Sequence, residues 1–328
     1  MKPGFWIGVA LFFALSAVTA AFASMSRERA DAVRGALDRG QADEALQMLD
    51  TTLKADPNDA EALNLRCRVY YAEERWDDAI SACERAVQIA QGNSSYHMWL
   101  GRSYGKKAQQ LSLMAAYKMA KMLRAEFETA VNLDPKNGEA LSDLGQFYAQ
   151  APAIVGGGSG KAEGVAHQLD GFAPERALEL RAQIAEQKKD YEAAEKALRA
   201  KISASHSAAQ AWMDLGSFYE RRQRWDEMLA ALQSGAVAAD RDHGPALADG
   251  AAVLMIAGRE PRLAIEWLRA YLSSSALSEE APAFVVHARI GTLLKQLGDG
   301  RGAQKEFDAA RALAQDYTEA PEPKRGTR

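Results

Sequence analysis

Runs of alternating β-branched residues, the usual pattern of strands, are nearly absent from this chain of 328 residues. Alanine is abundant, and proline and glycine occur in clusters at intervals along the chain. This composition favours helices. The chain also lacks an excess of basic residues, since its formal net charge is −4. Phosphate contacts need a basic field, so the mild acidity argues against a nucleic-acid partner.

Residues that build metal and catalytic sites are scarce. The five histidines form no His-Glu-x-x-His motif, and no two share a helix at metal-ligand spacing. Carboxylates come in runs such as Asp77-Asp78, which is typical of a solvated helix face. No set of nucleophile, base and orienting group can be assembled. We therefore expect no enzymatic activity, no metal and no cofactor.

Residues 1–24 predict an export signal. Lys2 precedes an apolar run from Phe5 to Val18, and small residues follow up to an Ala-x-Ala site at 21–23. This order is typical of a secretory signal peptide, and we expect cleavage after Ala23 or, as the alternative site, after Ala20. The alternative is an uncleaved membrane anchor, because residues 5–23 approach the ~20 that span a bilayer. The protein is thus expected to be periplasmic or secreted, or else anchored by residues 5–23.

Helical segments recur at an interval of 34 residues. Ala45 and Ala79 lie at equivalent places in two second-helix segments. The segment Leu100-Gly-Arg-Ser-Tyr104 matches both Leu144-Gly-Gln-Phe-Tyr148 and Leu215-Gly-Ser-Phe-Tyr219. This period, with small residues where two helices touch and Asp-Pro at the end of a unit, resembles the tetratricopeptide repeat (TPR).

The resemblance implies an all-α, right-handed superhelical solenoid of antiparallel helix pairs, with first helices on the concave face. About eight units are expected between residues 26 and 317, followed by a disordered tail at 318–328. Their approximate bounds are 26–59, 60–93, 94–137, 138–174, 175–208, 209–242, 243–283 and 284–317.

Unit three is about ten residues longer than the repeat, and its extra stretch contains Leu111, Met114, Met119 and Met122. These methionines are expected to pack on the neighbouring repeat or, alternatively, to form a lip over the concave groove, since methionine suits adaptable surfaces.

Unit four is about five residues too long and contains a loop with four distinctive residues: Pro152, Gly156, Gly157 and Lys161. The loop is loosely similar to one in periplasmic TPR components of TRAP-type transporters. A phosphate-binding loop is excluded, because Val155 and Ala162 stand where the Walker pattern needs Gly and Ser or Thr. We expect this loop to be structural.

The only two cysteines, Cys67 and Cys83, take positions that face each other within one TPR hairpin. In an oxidising compartment they could form a disulfide, which would stabilise the fold by roughly 3 kcal/mol. The alternative is a pair of buried free thiols.

Three arginines, Arg34, Arg68 and Arg102, repeat at a spacing of 34 on first helices. In TPR proteins this position faces the groove, where Arg, Lys and Asn can bind the carboxylate of a peptide. The candidate peptide-binding residues are Arg34, Asn64, Arg68, Tyr71, Arg102 and Lys106. The alternative is a solvated basic stripe that pairs with Glu61 or Asp38.

Together these patterns predict a non-enzymatic scaffold that binds a protein or peptide segment in its groove. The alternative is a solute- or small-ligand-handling component that partners a membrane transporter.

Overall fold

The computed structural model describes residues 25–206, 208–242 and 244–318. Within these ranges the chain forms sixteen α-helices and no strand. The helices are α1 Arg27–Asp38, α2 Ala42–Ala55, α3 Ala60–Ala72, α4 Trp76–Ile89, α5 Ser94–Ala108, α6 Leu113–Leu133, α7 Gly138–Gln150, α8 Ser159–Asp170, α9 Pro174–Gln187, α10 Tyr191–Ala204, α11 Ala208–Arg221, α12 Trp225–Ala239, α13 Ala246–Ala257, α14 Pro261–Leu272, α15 Ala283–Gln296 and α16 Gly300–Leu313. Each odd-numbered helix packs on the even-numbered helix that follows it, which gives a solenoid of eight pairs. The predicted all-helical repeat fold is confirmed.

Polar caps fix where the first helices begin. The side chains of Asp59, Asn93 and Asn137 stand immediately before α3, α5 and α7. Each accepts a hydrogen bond from the backbone N–H three residues later, at 2.9, 3.3 and 3.0 Å. Such caps satisfy N–H groups that a helix leaves unpaired at its start. The short linkers between pairs thus stop one helix and start the next within a few residues.

Within a pair, an aromatic ring of the second helix packs directly against a glycine of the first helix. A Cβ atom at Gly101 would lie 2.5 Å from the Phe127 ring, and one at Gly291 would lie 2.6 Å from the Phe307 ring. No side chain fits at these distances, so the close approach of the two helices requires glycine.

Cys67 and Cys83 occupy the equivalent positions in the second pair. They form a disulfide that joins α3 to α4, with the Cα atoms 5.3 Å apart. Both side chains are fully buried. A covalent bond therefore stands where other pairs place a glycine against an aromatic ring.

A tyrosine three residues after the glycine links successive pairs. The hydroxyls of Tyr104, Tyr148 and Tyr219 each donate to a glutamate on the second helix of the preceding pair, at 2.7 Å. The glutamates are Glu84, Glu128 and Glu195. Because the hydroxyl of each tyrosine donates to a carboxylate, its ring can be buried without leaving a polar atom unpaired.

The last pair of helices packs against the first, so the solenoid closes on itself. One core cluster combines α1–α3 residues such as Val33 and Leu49 with Phe284 and Ala310 of the last pair. Gly40, in the α1–α2 turn, has a φ of +67°, and a Cβ there would lie 2.2 Å from the backbone nitrogen of Ala283. Only glycine permits both this conformation and this contact.

Polar contacts cross the same seam. Arg75 donates to Asp316 at 2.9 Å, and the backbone N–H of Gln315 donates to Asp43 at 3.0 Å. The repeat pattern did not predict this closure, because it describes only contacts between neighbouring units.

The enlarged third unit lengthens α6 to 21 residues, against 15 in α5. At 1.5 Å per residue, α6 is about 9 Å longer than its partner. Met119 and Met122 are partly buried against the adjacent core, which agrees with the packing interpretation. Met114 is instead 77% exposed near the start of α6.

Candidate functional site: the central cavity

A cavity of about 1080 Å³ lies at the centre of the closed array. Its walls come from α3, α5 and α7, and from the linker and first turns at residues 278–289. Aromatic side chains of Tyr71, Trp76, Trp99 and Phe147 contribute apolar surface. The cavity has the size of a small-molecule pocket or a short peptide segment and is lined by both apolar and charged groups.

Trp99 is the centre of the aromatic wall. The guanidinium carbon of Arg68 lies 5.1 Å from its ring centroid, and that of Arg102 lies 4.8 Å away. Tyr71 packs edge-on against the same ring at 5.4 Å, and against Trp76 at 5.3 Å. Guanidinium groups over an aromatic face interact favourably with its negative π-face. The two repeat-related arginines are thereby held in fixed orientations at the cavity wall.

Carboxylates of the chain itself already bind these arginines. Arg68 donates through Nε and Nη2 to one oxygen of Glu279, at 3.0 and 2.6 Å. Arg102 donates to Asp143 at 2.6 Å and to Glu139 at 3.1 Å. Burial raises the pKa of Asp143, and Arg102 opposes that rise by favouring the charged form.

The two arginine sites differ in where their carboxylates come from. Asp143 and Glu139 belong to the neighbouring helix α7, which is part of the same wall. Glu279 belongs to the ten-residue linker 273–282, which reaches across the cavity from the seventh pair. A carboxylate of a ligand could therefore replace Glu279 at Arg68 without disturbing a helix.

Four of the six predicted groove residues line this cavity: Arg68, Tyr71, Arg102 and Lys106. Arg34 does not line it and pairs with Asp31 and Glu61, as the alternative interpretation expected. Asn64 is only 4% exposed, and its buried Nδ2 has no hydrogen-bond partner.

Several cavity residues were missed by the sequence reasoning. Glu279, Glu280 and Arg289 come from the far end of the chain, so their meeting with Arg68 depends on closure. Burial raises the pKa of Glu280, with neighbouring carboxylates adding to the effect. Trp99 lies one helical turn before Arg102, and this spacing could have indicated it.

The loop of unit four lies against α6 and its predicted residues are occupied by internal contacts. Gly156 has a φ of +99° and lies directly on the Arg124 guanidinium, which donates to the carbonyl of Val155 at 3.1 Å. Lys161 donates to the carbonyl of Gly156 at 2.9 Å. A Cβ at Gly157 would lie 1.8 Å from the carbonyl oxygen of Ala151, and Pro152 precedes a short 3₁₀ turn. These contacts give the loop a structural role.

The two repeat-related histidines are also internally bonded. His97 contacts Glu126 at 2.6 Å, and His287 contacts Glu306 at 2.7 Å. Across the described ranges no group of three His, Cys, Asp or Glu side chains could hold a metal ion. In the same ranges no helix is long and apolar enough to cross a membrane. The predicted signal or anchor at 1–24 lies outside the described residues, as do 319–328 of the predicted tail.

Part of the array is similar to a known repeat family. Residues 36–102 match the family model of the tetratricopeptide repeat. This TPR segment runs from the end of α1 into α5 and carries Arg68, Tyr71 and Arg102 of the cavity wall, together with the disulfide. No curated protein matches the chain.

Solved structures similar to this chain include the following three. A thermophilic TPR protein of Thermus thermophilus is 16% identical, with 62% of this chain and 98% of that chain covered and a TM-score of 0.49. A tetratricopeptide repeat protein from Parabacteroides merdae is 13% identical, with 88% and 92% covered and a TM-score of 0.45. MamA is 17% identical, with 67% and 98% covered and a TM-score of 0.33.

Proposed function

We propose that this protein is a non-enzymatic TPR scaffold that binds an extended segment of a partner protein in its central cavity. The observation that carries the proposal is the wall of Arg68, Trp99 and Arg102. It offers fixed arginines on an aromatic face, the combination that is enriched at protein–protein hot spots.

The contact between Arg68 and Glu279 supports an acidic segment as the ligand. Glu279 lies in a turn of the linker 273–282 and reaches Arg68 from 211 residues away along the chain. A partner carboxylate would make the same two hydrogen bonds and would have to displace Glu279. Lys106 and Arg289 also line the cavity and form no ion pair within the described residues, and the same holds for the carboxylates of Asp38, Glu74 and Glu280. The supporting observation is therefore the contact at Arg68 itself and not an overall positive charge of the lining.

We test this with the chain from Met25 onwards as bait, followed by cross-linking from Lys106 to map the retained segment. A peptide with that segment is then titrated against wild type, Arg68→Glu and Arg66→Glu. Arg66 lies on the same helix, pairs with Asp50 and is absent from the cavity wall, so it is the matched control. We expect at least about tenfold weaker binding for Arg68→Glu and unchanged binding for Arg66→Glu.

Two results would contradict the proposal. One is equal affinity of the two arginine variants for the peptide. The other is a set of cross-links that lies on the outer helices and leaves Lys106 unmodified.

A small-ligand function, as part of a system with a membrane transporter, is the second candidate. Closure of the array favours it, since a partly open cavity of about 1080 Å³ on the inner face of the array suits a compact solute as well as a peptide. Native mass spectrometry of the purified chain distinguishes the two. A retained small molecule that Trp99→Ala releases supports the second candidate, whereas an empty cavity and a mapped peptide support the first.

We also propose that the protein is exported. The signal-like pattern of residues 1–24 and the disulfide between Cys67 and Cys83 support this location, because disulfides persist in oxidising compartments. N-terminal sequencing of the native protein tests whether the chain begins after Ala23. An intact residue 1 on membrane-bound protein would instead establish the anchor.

A further inference from the structure

The projecting start of α6 is the most exposed apolar feature of the described array. Leu113 is 86% exposed and Met114 is 77% exposed. Scattered single apolar residues are ordinary on a protein surface, but these two are adjacent and stand at the tip of a helix that outreaches its partner by about 9 Å.

Lysines continue the same face of the helix. Met114, Lys118 and Lys121 follow one another at helical spacing, and all three are exposed. Lys121 lies 4.7 Å from the Tyr117 ring. Within the described residues neither Lys118 nor Lys121 forms an ion pair. We call Leu113, Met114, Lys118 and Lys121 the tip face.

The surrounding sequence has a strong local charge bias. Residues 85–125 contain seven Lys and Arg side chains and no Asp or Glu, in a chain whose formal net charge is −4. Of these seven, Arg102, Lys107 and Arg124 form ion pairs with Asp143, Asp77 and Glu128. Within the described residues Lys118 and Lys121 form none. The tip face therefore presents uncompensated positive charge.

From this arrangement we propose that the tip face docks on an anionic phospholipid bilayer, a function independent of the central cavity. With α6 end-on to the membrane, Leu113 and Met114 would enter the boundary between headgroups and acyl chains. Lys118 and Lys121 lie roughly 6–12 Å further along the helix axis, at the level of the lipid phosphates. Charge complementarity selects a lipid phosphate surface over a neutral or acidic protein surface.

Co-sedimentation with vesicles tests this. The chain from Met25 is used, because all four core clusters are built from residues between Met25 and Ala314. It should bind phosphatidylcholine–phosphatidylserine vesicles and should not bind pure phosphatidylcholine vesicles. The binding should weaken as the salt concentration rises. Lys118→Glu/Lys121→Glu should weaken partitioning by roughly 30-fold or more, and Leu113→Ser/Met114→Ser by about tenfold.

Matched variants on other surfaces serve as controls. Val237→Ser removes an apolar side chain that is 76% exposed on α12, and Lys295→Glu/Lys305→Glu reverses two exposed lysines of the last pair. These variants should bind anionic vesicles within about twofold of wild type, because a screened charge far from the bilayer contributes little. Circular dichroism confirms that every variant keeps its helices.

Three outcomes overturn the proposal. They are no binding of wild type to anionic vesicles, equal loss in the control and tip variants, and binding that leaves the tip variants unaffected. A concentration-dependent dimer that Leu113→Ser/Met114→Ser abolishes would also overturn it and would assign the tip face to a second copy of the chain.

Discussion

At the scale of single residues, close packing requires a glycine at some positions and buries a carboxylate at another. Glycines such as Gly101 are needed because a ring from the facing helix takes the space of a side chain. Glu73, by contrast, is a carboxylate with no exposed side-chain surface at the end of α3. Its Oε1 atom is buried without a partner, and its Oε2 atom lies 3.4 Å from Arg75. Burial raises the pKa of Glu73 to about 7 despite Arg75.

Glu73 should make the protein less stable as pH rises. An unfolded glutamate has a pKa near 4.5, so between about pH 4.5 and 7 the folded state holds the proton more tightly than the unfolded state. The free energy of unfolding therefore falls as pH rises through this window. Glu73→Gln should remove up to about 3 kcal/mol of that fall.

Urea unfolding of wild type and Glu73→Gln at pH 5 and pH 8 measures the effect. Asp249, whose pKa burial raises to about 6, titrates with the same sign in both proteins and cancels in the comparison. Parallel pH profiles for the two proteins would exclude Glu73 as the source.

At the scale of helices, the close contact between the two helices of a pair is made by aromatic packing in some pairs and by a disulfide in another. Pairs three and eight place a glycine of the first helix against a phenylalanine of the second. Pair two joins the same positions with Cys67 and Cys83. A glycine–aromatic contact depends on tertiary packing, whereas the disulfide holds α3 and α4 together even in the unfolded chain.

Reduction of this disulfide should lower the free energy of unfolding by roughly 3 kcal/mol, because a loop of 16 residues gains conformational freedom in the unfolded state. Chemical denaturation with and without a reductant measures the change, and intact mass before and after reduction counts the bonds. Identical masses would show that the two thiols are free in the native protein.

At the scale of the whole molecule, closure turns an open solenoid into a ring with an inner cavity. The seam combines an apolar core around Phe284 with the Arg68–Glu279 pair, whose side chains are 20% and 19% exposed. A half-buried pair with two hydrogen bonds contributes more than a solvated pair on the surface. The ring should therefore respond to the loss of this single contact.

Arg68→Glu and Glu279→Arg should each destabilise the closed form, and the double charge swap should recover about 1–2 kcal/mol of the combined loss. Small-angle scattering should show a larger radius of gyration for each single variant and a return towards wild type for the double variant. Additive losses with unchanged scattering would mean that the apolar seam alone closes the ring.

The sequence by itself determined the helical repeat. A period of 34 and small residues at helix contacts are local features, and they predicted the helix pairs and most of the arginine stripe without any knowledge of the tertiary structure. It also placed Arg68 and Arg102 on one face, because residues one repeat apart take equivalent positions. Tyr71 and Lys106 share that face because each follows one of these arginines by about one helical turn.

Only the tertiary structure decided which residues contact the face that carries Arg68 and Arg102. Small rotations between neighbouring units add up over eight pairs, and no local pattern encodes their sum. That sum brings Phe284 to the first helices and Glu279 to Arg68. The groove predicted from the repeats is therefore a partly open cavity in which one arginine already binds a carboxylate from the far end of the chain.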